Sequence, residues 1–169
     1  YLGDSQMIWN DVWVALGAWA LSTKKIRLGT GVTNLVTRHP AVTANAAMSV
    51  NMLSKGRMVL GVGAGDSAVR TAGLSPARLP QIRRRIEFIR ALLQGKEVDA
   101  LEWGVDHEAN TWGSESKIRI VGAEQWGELP IQLACMGPKS VRAAGEICDG
   151  VIVDGHMGGN AEGVRKTVA

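Results

Sequence analysis

The strongest constraint in this chain is an alternation. Stretches with helical apolar spacing are separated by short apolar runs, each closing on small residues and one polar group. Ile8, Val12, Leu16, Trp19 and Ala20 mark a first helix, ending near Ser22–Lys25. IRLGTGV (26–32) then reads as a strand buried on both faces. Pro40 opens a second helix whose apolar positions are Val42, Ala46, Val50 and Leu53, stopping before Gly56. MVLGVG (58–63) is the next strand, followed by a loop with Pro76 and a helix over 79–94 ended by Gly95. Residues 96–128 follow no single period and read as an insertion, with a short strand at KIRIV (117–121). Then come PIQLACMG (130–137) as a strand, a helix from Pro138 to Ile147, and the strand DGVIVDG (149–155). Such an order implies an α/β fold with a parallel sheet and right-handed crossovers. A TIM barrel and a doubly wound sheet both satisfy it, and both put function at the carboxyl ends of the strands.

Those ends are GTGVTN (29–34), GVGAGDS (61–67), ACMGPK (134–139) and VDGHMGG (153–159). Small residues let backbone amides approach a flat or anionic ligand, and the helix that follows offers its positive end. The glycines of RMVLGVGAGDS (57–67) do not form a dinucleotide fingerprint. The sixth position counted from Gly61 is Asp66, and about a dozen residues separate the glycines from the next clear helix.

Composition narrows the class. At 169 residues, 46% hydrophobic and 21% charged, the chain has room for one domain with a real core. A net charge of +3, dispersed along the chain, gives no nucleic-acid signal. The run Arg83-Arg84-Arg85 falls on the outer face of its helix. Cys135 and Cys148 have neither metal nor disulfide-framework spacing and read as buried reduced thiols; no metal site is expected. No membrane-length apolar run or signal peptide is present, so the cytoplasm is the default location.

Three blocks, IRLGTGVTNLVTRHP, LSKGRMVLGVGAGDS and PIQLACMGPKSVRAAGEICDGVI, resemble the luciferase-like flavin and deazaflavin-dependent oxidoreductases. The likeness is closest to the branch that uses coenzyme F420, such as methylenetetrahydromethanopterin reductase. YLGDS (1–5) resembles that branch's end of strand two. The resemblance implies a partial TIM barrel of about five parallel strands, with residues 1–169 as one incomplete domain and 96–128 inserted between the family's strands four and five. A complete barrel needs roughly 250 residues, so the chain reads as a fragment.

The resemblance also implies roles. A bulge with a non-prolyl cis peptide at Gly31–Val32 would back the cofactor ring, with Thr33 and Asn34 beside it. Asp4 matches an acid next to the ring; a helix-entry cap is the alternative. Gly63, Ala64, Gly65, Asp66 and Ser67 match the loop against the cofactor's side chain, and Asp66 matches a proton donor or acceptor, with a loop cap as its alternative. Cys135, Met136, Gly137 and Pro138 match the strand end that holds polyol and phosphate, with Lys139 nearby. Ser5 stands where the sugar-phosphate dehydrogenases carry a catalytic histidine, which argues against that activity. His39 reads as a structural hydrogen bonder, His156 as a substrate-facing group, and His107 carries no spacing signal.

The expected function is hydride transfer between coenzyme F420 and a small organic substrate, with Asp66 and Asp4 as the catalytic acids. The alternatives are a flavin mononucleotide (FMN) monooxygenase fed by a partner flavin reductase, and a non-catalytic flavin-binding protein. The resemblance allows a homodimer.

Overall fold

The computed structural model describes residues 1–100 and 117–153. Its elements are α1 (Val12–Ser22), β1 (Leu28–Gly29), β2 (Thr33–Asn34), α2 (Pro40–Ser54), β3 (Met58–Gly63), α3 (Ser67–Thr71), α4 (Leu79–Leu93), β4 (Val98–Asp99), β5 (Lys117–Ile118), a 3-10 turn (Ala123–Trp126), β6 (Ile131–Cys135), α5 (Pro138–Ile147) and β7 (Gly150–Val153). All pairings in the main sheet are parallel. β1 and β2 both pair with β3, β3 with β6, and β6 with β7. Leu2 adds a parallel bridge to Thr30 on the far side of β1. The order therefore runs one way without reversal. A doubly wound sheet needs a reversal point, so this is the winding of a barrel.

Of the strand expected over 26–32 only Leu28–Gly29 forms, and a second piece lies just beyond it at Thr33–Asn34. Leu28 and Gly29 register with Met58 and Val59, and pairing resumes only at Thr33 and Asn34. Between them lies a bulge, in which the Gly31–Val32 bond is cis. Along β3, Met58, Leu60 and Val62 point to the helices and join the main core with Ile131, Leu133, Ile86 and Ile89. The opposite face carries Gly61 and Gly63, and there the strands approach closely. A Cβ at Gly61 would sit 2.1 Å from the Thr30 carbonyl oxygen, and one at Gly63 would sit 2.8 Å from Val32 Cγ2. These glycines serve strand packing beside the bulge, not a phosphate cradle.

Several expectations need correction. Helix α1 begins at Val12, capped by Asp11, which accepts from the Trp13 and Val14 amides; Ile8 and Trp19 lie exposed. Asp4 is therefore not the cap. Helix α2 buries Thr43, Ala44, Ala47, Met48, Val50 and Asn51 and turns Val42 and Leu53 outward, because small residues permit the close approach to β3 and α1. Arg85 is buried, and donates to the Leu35 carbonyl at 2.7 Å, whereas Arg84 faces solvent. A short helix, α3, follows the glycine loop directly; at five residues it is too short to show a period. The segment 117–121 holds only the two-residue β5, paired antiparallel with β4.

Arg57 ties the helix ends together. Its guanidinium donates to the carbonyls of Ala20 (2.9 Å), Thr23 (2.8 Å), Ile26 (2.7 Å) and Ser54 (2.7 Å). Those are carbonyls at and just past the carboxyl ends of α1 and α2, which lack helical partners. Among the described residues no helix is long and apolar enough to cross a membrane.

Arg57→Met keeps the stem and removes every donor. It is expected to cost about 3 kcal/mol, read by denaturant unfolding, since hydrogen bonds to a charged group are each worth ~1.5–3 kcal/mol. A second prediction concerns pH. Burial pushes the Asp11 carboxyl up, but the Val14 and Trp13 amides and Arg38 together hold it below its ordinary 3.8. A depressed carboxylate stabilises above its unfolded value and loses that contribution as pH falls through its folded value. Asp11→Ala should cost about 1 kcal/mol at pH 7, and the gap to wild type should close below pH 3.8 in parallel melts.

Candidate active site

The carboxyl ends of the strands bring together the amino-terminal stretch, the bulge, the loop after β3 and the end of β6. With strands about 4.8 Å apart, the span from Asp4 to Cys135 crosses three spacings, about 14 Å.

Asp4 lies at the centre of the first part. Its side chain is 2% exposed. Oδ2 accepts from Thr33 Oγ1 at 2.6 Å and from Arg38 Nη1, and Oδ1 accepts from Gln6 Nε2 at 2.8 Å. Arg38 reaches Asp11 Oδ2 with its other nitrogen at 2.9 Å. Asn34 turns its Oδ1 to the amides of Val36 and Thr37, at 2.9 and 2.8 Å, and so shapes the chain after the bulge. Gln6 Oε1 accepts from Thr37 Oγ1 at 3.3 Å. The polar wall from Thr33 to Arg38 is thus bound to the amino-terminal stretch through side chains alone. Arg85 holds the same wall from behind, through Leu35.

The loop after β3 supplies a second part. Gly65 has φ +88, and a Cβ there would sit 2.2 Å from Val69 Cγ2 and 3.2 Å from Asn34 Cβ. Only glycine fits, and it brings the loop against the bulge. Asp66 sits at the N-cap position of α3 without making a side-chain cap bond. Its side chain is 84% exposed and pairs with Arg70 at 2.5 Å. Ser67 Oγ lies 2.7 Å from Ser5 Oγ, linking this loop to the segment that carries Asp4.

The end of β6 is the third part. Cys135 is buried; burial pushes its thiol up, partly offset by Ser140. Cys148, at the end of α5, is pushed up to about 11 by burial. Cys135 is buried as expected, whereas Cys148 is only half-buried, and both thiols are pushed up. Met136 is 84% exposed at the mouth. Ser140 Oγ accepts from the Met136 and Gly137 amides, each at 3.2 Å. Those amides are therefore already engaged, and among the described residues a Cβ at Gly137 would meet nothing within 4 Å. Lys139 is exposed.

His39 caps α2 by accepting from the Ala41 amide at 3.1 Å and packs edge-on to Phe88, a structural role as expected. His107, His156, Trp103 and Trp112 lie outside the described residues. Sequence reasoning missed Arg38, Gln6, Thr37 and Asp11. A signal existed for Asp11, an acid directly before VWVALG. Arg38 lies in the resembling block IRLGTGVTNLVTRHP, but nothing there marks its role, because its partners lie 27 and 34 positions away.

The luciferase-like monooxygenase family profile matches residues 1–169. The chain is 35% identical over 162 residues to a 5,10-methylenetetrahydromethanopterin reductase of Methanolobus tindarius, covering 95% of this chain and 47% of the relative. It is 34% identical to an F420-dependent glucose-6-phosphate dehydrogenase of Beutenbergia cavernae, covering 85% and 42%. The coenzyme F420 dependent tetrahydromethanopterin reductase from Methanopyrus kandleri superposes with a TM-score of 0.71 at 27% identity, over 90% of this chain and 46% of that one. The chain thus spans less than half the length of these relatives, and its curled parallel sheet corresponds to half of their barrel. This chain belongs to the luciferase-like monooxygenase family.

Proposed function

We propose that this chain carries the cofactor-binding half of an oxidoreductase that uses the 5-deazaflavin coenzyme F420 to move a hydride to or from a small organic substrate. The observation that carries the reading is the constellation of Asp4, Thr33 and Arg38 beside the bulge. Relatives named for F420 dependence support it.

The residues present fit such a group. The bulge and the Gly65 loop pack closely and would offer a wall to a flat ring, and among the described residues nothing lies within 4 Å of a Cβ placed at Gly137, so the backbone there stands clear. Thr33, Asn34 and Val32 would back the ring, and Ala64 and Gly65 would lie along the side chain. Met136, Gly137 and Pro138 would border polyol and phosphate, with Lys139 supplying charge. When bound, the deazaflavin supplies two-electron hydride chemistry at its C5.

The two acids divide the remaining work. Asp4 is sealed and holds three donors, which suits orientation of the wall. Asp66 is exposed at the mouth and suits proton exchange with substrate, at the cost of breaking its pair with Arg70. The alternative, an FMN monooxygenase, would use the same mouth and is separated by ligand choice.

Titration with oxidised coenzyme F420 and with FMN, followed by tryptophan fluorescence, tests the reading. Saturable binding with at least ten-fold preference for F420 is expected. Preference for FMN would move the assignment to a flavin monooxygenase or flavin carrier. A folded chain that binds neither would refute the cofactor site.

A further inference from the structure

Arg38 enters the reading above only as a member of the Asp4 constellation, yet its own placement is unusual. It is 16% exposed and spans two carboxylates from different segments, Asp4 at 2% and Asp11 at 46%. Asp11 is also the cap of α1, accepting from Trp13 at 2.9 Å and Val14 at 3.2 Å. Arg38 itself belongs to the wall after the bulge, two residues before α2. One planar guanidinium thus joins the bulge segment, the buried acid and the amino end of α1.

We propose that Arg38 is a positioning residue, with Asp11 as its anchor: by bridging Asp4 and Asp11 it fixes the orientation of the Asp4 carboxylate at the cofactor mouth. This rests on the reading that Asp4 and Thr33 line a cofactor ring pocket. A carboxylate has about four acceptor positions. Gln6, Thr33 and Arg38 occupy three of those on Asp4. Without Arg38, one neutral donor remains on each oxygen, Thr33 on Oδ2 and Gln6 on Oδ1, but the buried charge loses its counter-ion and its tie to the α1 end, so its position is held less tightly. The anchor matters because Arg38 would otherwise follow Asp4; the fork to Asp11 ties both to a capped helix end. Lysine cannot serve two carboxylates in the same fixed fork.

The bridge has a distinctive mutational signature. Asp11→Asn keeps a competent cap and deletes one arm of the bridge. Arg38→Lys keeps the charge and deletes the fork. Both remove the same link, so the double variant should be no worse than either single. The readouts are the dissociation constant for F420, the induced circular dichroism of the bound chromophore at saturation, and the melting temperature of the free protein. Arg38→Met is expected to weaken F420 binding at least ten-fold. Asp11→Asn and Arg38→Lys should each weaken it about three-fold, non-additively, and each should alter the induced signal. Melting should change little in Asp11→Asn. Wild-type affinity and induced signal in both conservative variants would overturn the inference while leaving the cofactor reading standing. Additive losses would overturn the shared bridge. A wild-type chain that binds no F420 would overturn the cofactor reading and this inference with it.

Discussion

The geometry of the mouth depends on one buried carboxylate. Asp4 lies just past the Leu2–Thr30 bridge, the first strand contact of the sheet. Its charge is sealed from water and compensated by Arg38, with Thr33 and Gln6 completing its hydrogen bonds. A buried ion pair is weak evidence for stability, but removing one partner typically costs about 3–5 kcal/mol, because the other is left uncompensated. The pair therefore acts as a specification. It allows one arrangement of the amino-terminal stretch against the bulge and disfavours the rest.

Packing on the two sides of β3 gives this specification its shape. The outer side buries Met58, Leu60 and Val62 against the helices. On the inner side, glycines let the bulge and the neighbouring strand approach within contact distance. A glycine-rich strand end invites a phosphate reading, but these contacts are to the Thr30 carbonyl and to Val32. The same economy of side chains leaves a close-packed wall, which supports the proposal of a flat ring at the mouth over a dinucleotide phosphate.

What was legible in the sequence follows from range. Helix α5 was read to its boundaries, because Pro138 opens it and its apolar spacing is regular. The bulge was legible through the resemblance of the block around GTGVTN, and not through periodicity. The outward face of α2 was misread, since apolar spacing alone selected Val42 and Leu53 while the packing selects small residues that can approach β3. Arg85 looked like part of a solvated basic run; its partner is a backbone carbonyl 50 positions away, which no local pattern encodes. Arg38 was hidden for the same reason, with both partners distant in sequence and none required by helix or strand patterning.

The central claim is that the bulge, the Asp4 network and the Gly65 loop form one cofactor-binding surface. Hydrogen–deuterium exchange of the chain with and without saturating coenzyme F420 tests it most directly. The account predicts new protection concentrated in residues 31–38, 63–67 and 135–139, with little change around Arg90 and Asp149 at the opposite end of β6. Protection confined to that opposite end, or spread evenly over the chain, would contradict it.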